Sequence, residues 1–200
     1  MVSLSETLLE SPLVYRLWQA PFVNQKLQPL FTHNDLAQVR RVLDVGCGPG
    51  TNAPLFEKVQ YLGLDFNPKY IENARQRFKG EFVVADVTTY QVDPGKRFDF
   101  ILVNSILHHI DTPGCERILS HLNTLLTPDG HVHLLELVKA EDGIPRLLTD
   151  RDRGKFPRPA EEWRGMFRQH VEEVVFEPYP LTAFGVTLWH MIYFKGRVRR

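Results

Sequence analysis

Residues 42–50, Val-Leu-Asp-Val-Gly-Cys-Gly-Pro-Gly, constrain the fold of this chain more than any other segment. The run begins with apolar residues typical of a central parallel strand. It then places Gly46, Gly48 and Gly50 within five positions, where a backbone without Cβ atoms turns tightly and approaches a ligand closely. A helix after such a turn would present free N–H groups to that ligand. The run therefore predicts a nucleotide-type binding loop.

Composition favours one globular domain over residues 1–200. The chain is 43% hydrophobic and has a formal net charge of +0, which gives no support to a general nucleic-acid or membrane-surface role. No apolar run is long enough to span a membrane, and the N-terminus lacks a signal pattern, so we expect a soluble, cytoplasmic protein without nucleic-acid partners or integral membrane association. The expected parts are an N-terminal helical cap (1–38), a cofactor-binding core (39–138), a lid and helix (139–170) and a terminal hairpin (171–200).

Strand-like and helix-like segments alternate from residue 41 onward. This alternation predicts an α/β fold with a parallel sheet of about seven strands, with helices on both faces and a terminal antiparallel hairpin. The predicted strands are 41–46, 60–65, 81–85, 98–104, 130–138, 171–179 and 186–194. The predicted helices are 4–31 in short pieces, 51–58, 68–79, 112–127 and 159–169.

Polar residues follow four of these strands, and ligands of such sheets bind at the carboxyl ends of the strands. Asp65 ends the second strand, 21 positions after Asp44, where an acid accepts both hydroxyls of a ribose. Asp86 ends the third strand, where it could accept from an adenine amine. Asn104 and Ser105 end the fourth. Taken singly, Asp65 could instead cap the next helix and Asp86 a short turn.

Together these residues resemble the class I S-adenosylmethionine-dependent methyltransferases, most clearly over residues 41–138. The resemblance implies a Rossmann-like doubly wound sheet, with S-adenosylmethionine as cofactor. It assigns the amino-acid part of the cofactor to Asp44, Gly46, Gly48 and Gly50, the ribose and adenine to Asp65, Phe66, Asp86 and Val87, and the methyl-transfer site to Asn104 and Ser105. A nicotinamide dehydrogenase remains the competing interpretation, but its G-x-G-x-x-G spacing differs from the G-x-G-x-G found here.

His108 and His109 follow the fourth strand and are the candidate catalytic residues. Either could act as a general base or orient the substrate, with His108 preferred; alternatively, one of them packs under the loop. Glu136 could face the acceptor or form an ion pair. His131 and His133 share a strand face, but we expect no metal, because the sequence shows no obvious carboxylate cluster to complete a site.

Substrate choice should depend on the N-terminal helices, where Tyr15 could reach the cofactor, and on residues 139–158. The run Asp152-Arg153-Gly154 with Arg158 is similar to one in some small stand-alone methyltransferases. Arg153 or Arg158 would either meet a substrate carboxylate or phosphate or hold this segment to the domain. The fourth strand lacks the Asp/Asn-Pro-Pro-aromatic tetrad of base N-methylation, so we expect a small-molecule or lipid-like acceptor, with O-methylation favoured. The other interpretation is a cofactor-binding partner protein without activity.

Overall fold

A computed structural model describes residues 22–199. The helices are α1 (Val23–Thr32), α2 (Pro68–Arg77), α3 (Thr112–Leu125), α4 (Gly143–Thr149) and α5 (Ala160–His170). The strands are β1 (Arg41–Val45), β2 (Gln60–Asp65), β3 (Glu81–Val84), β4 (Phe98–Asn104), β5 (Leu126–Leu137), β6 (Glu172–Ala183) and β7 (Val186–Arg197). Most of the predicted segment 4–31, including Tyr15, lies outside the described residues.

The strands form one seven-stranded sheet in the order β3-β2-β1-β4-β5-β7-β6. β1 to β5 pair in parallel, whereas β7 runs antiparallel to both β5 and β6. The strand order reverses beside β1, so a crevice opens there at the carboxyl ends of β1 and β4. The predicted α/β sheet with its terminal antiparallel hairpin is confirmed.

Helices pack on both faces of the sheet, because alternate residues of each strand point to opposite sides. On one face, Leu43 and Val45 join the buried side chains of α3 and α5. On the other, Val42 joins those of α1 and α2. Asp44, between Leu43 and Val45, points to the same face as Val42 and is only 1% exposed.

Several predicted bounds are wrong, for local reasons. Residues 51–58 form only a 3₁₀ turn, Ala53–Phe56, in which Pro54 stands at the start and restricts the backbone. Pro180 follows the predicted strand 171–179 but lies inside β6, as Pro178 does; an edge strand tolerates both because one side of it needs no donors. The polar stretch 139–158 contains the short helix α4, which the sequence pattern did not indicate.

Candidate active site

The glycine loop after β1 has the backbone that its sequence requires. Gly46 and Gly48 adopt φ angles of +66° and +53°, in the left-handed region that favours glycine. A Cβ on Gly46 would lie 2.8 Å from the side chain of Ile106, so the loop after β4 packs directly on the glycine loop. A Cβ on Gly48 would meet no atom of the described part of the chain within 4 Å.

Asp65 connects the end of β2 to this loop. One carboxylate oxygen accepts from the Gly48 N–H at 2.9 Å and the other from the Asn67 N–H at 2.8 Å. The helix cap is Asn67, whose side chain accepts from Lys69 N, so Asp65 is not the N-cap. A carboxylate offers about four acceptor positions. Two therefore remain for ligand hydroxyls after the two backbone bonds are made.

Asp44 lies beneath the loop. Its carboxylate accepts from the Tyr61 hydroxyl at 2.6 Å and from the Asn52 side-chain amide at 3.1 Å. Burial raises its pKa to about 6, while the hydrogen bonds from Tyr61 and Asn52 act in the opposite direction. Asp44 therefore fixes Tyr61 and Asn52, two partners that the sequence analysis did not single out and that no local pattern marks.

The end of β4 carries the clearest sign of an intended ligand. The Asn104 side-chain amide donates to Asn52 Oδ1 at 3.4 Å, but Asn104 Oδ1 is buried and has no hydrogen-bond partner within residues 22–199. Buried acceptors are nearly always satisfied. A ligand ammonium would supply the missing donor, which is the chemistry of the amino-acid end of S-adenosylmethionine. The neighbouring Ser105 has a φ of 56°, and its N–H donates to Leu135 O at 2.8 Å.

The residues assigned to adenine are placed less tightly. Asp86 accepts from both the backbone N–H and the hydroxyl of Thr88, each at 2.8 Å, so it does cap a short turn. The Thr88 bonds hold the pKa of Asp86 below its ordinary value. Val87 is buried in the core, whereas Phe66 is 82% exposed beside Asp65. The assignment of these residues to adenine stays a prediction.

His108 lies between two carboxylates. Its Nδ1 is 2.7 Å from Glu136 Oε2, and its Nε2 is 3.4 Å from Asp152 Oδ1. Glu136 is fully buried, and its other oxygen accepts from the N–H groups of Ile106 and Leu107 at 3.0 and 2.8 Å. Burial acts to lower the pKa of His108, but the bonds to Asp152 and Glu136 outweigh it and raise the pKa to about 9. The two carboxylates therefore favour the imidazolium form of His108.

His109 has a different environment although it is the next residue. Its side chain is exposed, and its ring centroid lies 4.2 Å from that of His108. Burial and then the charge of His108 lower the pKa of His109, against the opposing effect of Asp152 and Glu136. Ligand atoms of His108, His109 and Asp152 lie within 4.8 Å of one another, which is close enough to hold a metal ion. His108 would have to give up the Nε2 proton to do so, and the absence of a metal stays a prediction.

Residues 152–158 bind the polar stretch 139–158 to the loop after β4. Gly154 packs on the His108 ring, where a Cβ would overlap it, and the Phe156 N–H donates to His108 O at 2.9 Å. Arg158 is 5% exposed; it donates to Ile110 O at 3.2 Å and lies 4.6 Å from the centre of the Trp163 ring. Of the two interpretations of this arginine, the structure therefore supports the one in which it holds the segment to the domain.

The environments of two other polar side chains, Lys26 and His133, could not be predicted from the sequence. Burial lowers the pKa of Lys26, on α1, to about 8, although the charges of Glu136 and Asp152 act to raise it, so this cation faces the same carboxylates. His133 is buried and lies 2.9 Å from the Tyr193 hydroxyl, which makes it part of the core. No signal in the local sequence distinguishes Lys26 from a surface lysine.

Comparisons with known proteins bear on the domain and the fold. Residues 42–130 match a family model described as a methyltransferase domain. A trans-aconitate 2-methyltransferase of Paracidovorax citrulli is 29% identical over 128 residues, which are 60% of this chain and 47% of that protein. The chain thus spans about half the length of this curated relative.

Two solved structures share the fold. A SAM-dependent methyltransferase of Methanosarcina mazei has a TM-score of 0.71 at 18% identity, covering 85% of this chain and 98% of that one. The N-methyltransferase NodS of Bradyrhizobium japonicum, in complex with S-adenosyl-L-homocysteine, has a TM-score of 0.66 at 18% identity, covering 96% and 91%.

The sheet order and the glycine loop agree with the class I S-adenosylmethionine-dependent methyltransferases that the sequence resembles, and residues 42–130 match a methyltransferase domain. S-adenosylmethionine is the cofactor expected for a domain of this kind. Within residues 22–199, no helix has the length and apolar character needed to cross a membrane.

Proposed function

We propose that this protein transfers the methyl group of S-adenosylmethionine to an oxygen atom of a small-molecule acceptor. The observation that carries the proposal is Asn104 Oδ1, which is buried and has no hydrogen-bond partner among residues 22–199. We assign the amino-acid end of the cofactor to this oxygen and to the glycine loop. Its sulfonium carries an already activated methyl group, so the protein has to orient the acceptor and exclude water.

The remaining cofactor contacts follow from the geometry of the strand ends. Asp65 would accept the ribose hydroxyls with its free lone pairs, beside the exposed ring of Phe66. Asp44 would act indirectly, through Asn52. Asp86 and Val87 would border the adenine. The acceptor would lie beyond Asn104 and Ser105, next to His108 and His109.

A small polar acceptor is supported by the surroundings of His109. Charged groups of both signs, Glu136, Asp152, His108 and Lys26, meet at this end of the sheet. The relative from Paracidovorax citrulli is named for trans-aconitate, a small polycarboxylate, so this compound is the first acceptor to test. A cytoplasmic location and the absence of nucleic-acid partners belong to the same proposal.

Isothermal titration calorimetry with S-adenosylmethionine and S-adenosylhomocysteine tests cofactor binding. We expect Asp65→Asn to weaken both affinities about tenfold or more, because a charge-assisted bond to the ribose is lost. Asp93→Asn is the matched control, since Asp93 pairs with Lys96 on the surface. Equal affinities for wild type and Asp65→Asn would reject the ribose assignment. Binding without S-adenosylhomocysteine production from any acceptor would favour the inactive partner protein.

A further inference from the structure

His108 has no nitrogen available for catalysis. Each ring nitrogen faces a carboxylate oxygen, and carboxylates at neutral pH only accept hydrogen bonds, so both nitrogens carry protons. Glu136 is held in place by two backbone N–H groups and cannot turn away. His108 is also 4% exposed and is covered by Gly154. A base must offer a lone pair to the substrate, and His108 has none.

His109 offers that lone pair. Its hydrogen bond to the backbone of Arg153 favours protonation, so the nitrogen in that bond is a donor, and in the neutral ring the other nitrogen carries a lone pair. The charged groups that act on it are His108 on its own loop, Glu136 on β5 and Asp152 on the segment after α4; Lys26 on α1 faces the same two carboxylates. The adjacent His108 cation opposes a second positive charge and, with burial, lowers the pKa of His109.

The loop after β4 also connects His109 to the residue that packs on the glycine loop. Ile106 packs against Gly46, and the His109 N–H donates to Ile106 O at 3.1 Å, so His109 is one tight turn away from that contact. The side chain is exposed, as an acceptor-facing group has to be before substrate binds.

We propose that His109 is the general base of this enzyme, that His108 is a positioning residue, and that the acceptor is therefore a hydroxyl compound. This inference rests on the proposed methyl transfer. A carboxylate acceptor is already ionised and needs no base, whereas an alcohol or phenol has to lose a proton at the reacting oxygen.

The step balances as follows in atoms and charge. The acceptor oxygen forms a bond to the methyl carbon while its hydroxyl proton passes to the free nitrogen of His109. The carbon–sulfur bond breaks, and its electron pair stays on sulfur. The products are a methyl ether, a neutral thioether and the His109 imidazolium, which returns its proton to solvent.

Nitrogen-15 NMR of the histidine rings tests the protonation states without any acceptor. His108→Gln and His109→Gln, each of which removes one set of signals, provide the assignment, and His131→Gln, which removes a histidine that pairs with Phe100 in mid-sheet, is the control. We expect two protonated nitrogens on His108 and one on His109 at pH 7. A protonated His109 ring, or an unprotonated nitrogen on His108, would overturn the proposal. Calorimetry with S-adenosylmethionine does not depend on these states, so the two proposals fail separately.

Kinetics with catechol, lactate and trans-aconitate test the acceptor class. We expect His109→Gln to lower kcat for a hydroxyl acceptor about 100-fold with an unchanged KM for S-adenosylmethionine, and His131→Gln to behave as wild type. Turnover of trans-aconitate alone, at equal rates in wild type and His109→Gln, would contradict the proposal. If none of the three is methylated, the ring protonation states decide.

Discussion

Glu136 is the residue whose replacement tests the acceptor side of the site most directly. Its carboxylate accepts two backbone N–H groups and His108, all without access to solvent. Glu136→Ala would leave these three donors unpaired, one of them charged. Breaking a buried charge pair from one side costs about 3–5 kcal/mol. We therefore expect the free energy of unfolding to fall by about 4 kcal/mol.

Glu136→Gln removes the negative charge of this side chain but keeps its size and one acceptor oxygen. The amide oxygen of glutamine still accepts from Ile106 and Leu107, but its NH₂ group meets the protonated Nδ1 of His108. Losing this charge-assisted bond costs about 2 kcal/mol. The stability order should be wild type, then Glu136→Gln, then Glu136→Ala.

Urea unfolding followed by far-UV circular dichroism measures these differences. Glu72→Gln, on the exposed side of α2, is the control and should unfold like the wild type. If Glu136→Ala costs less than about 1 kcal/mol, which is the scale of an exposed ion pair, the buried network described here does not exist in solution.

Three further predictions concern other parts of the fold. Gly46→Ala should lower the thermal midpoint and reduce the free energy of unfolding by about 2 kcal/mol, because Gly46 combines a positive φ with a close contact to Ile106. Gly95→Ala is the control and should leave the midpoint unchanged, because no described atom lies within 4 Å of a Cβ there. Arg158→Lys should also lower the midpoint, by about 2 kcal/mol, since lysine cannot make the forked bonds or stack on the ring. His108 has a folded-state pKa of about 9 against 6.5, so the stability it contributes is complete below pH 6.5 and is lost as the pH rises through 9. The loss amounts to about 3 kcal/mol; titrating unfolding against pH should show it in wild type and His131→Gln but not in His108→Gln.

The cofactor side could be read from the sequence because it is built from short local units. Each strand ends next to the residue that matters, so Gly46 and Asp65 follow from a strand-then-turn pattern. The prediction of Asp65 as a cap was a real alternative, and only the position of Asn67 settles it. The short turn at Ala53–Phe56 shows the limit: an apolar run suggested a helix, but Pro54 and the loop before it left too few residues to form one.

The acceptor side could not be read in the same way. His108 and Glu136 are 28 residues apart, and Asp152 comes from a third segment, so no local period relates them. Two adjacent histidines look alike in a sequence. The structure distinguishes them because one ring is enclosed by carboxylates and the other is exposed.

The match to the methyltransferase domain covers the cofactor side of the site but not the acceptor side. The matched residues, 42–130, contain the glycine loop, Asp65 and Asn104, but they end before Glu136 and Asp152. A relative can therefore share the cofactor half of the site while its acceptor half is built from other residues. The charge on His108 depends on those two carboxylates, so the protonation of the histidines beside the acceptor is set by residues outside the matched domain. The class of acceptor therefore follows from these protonation states and not from the glycine loop.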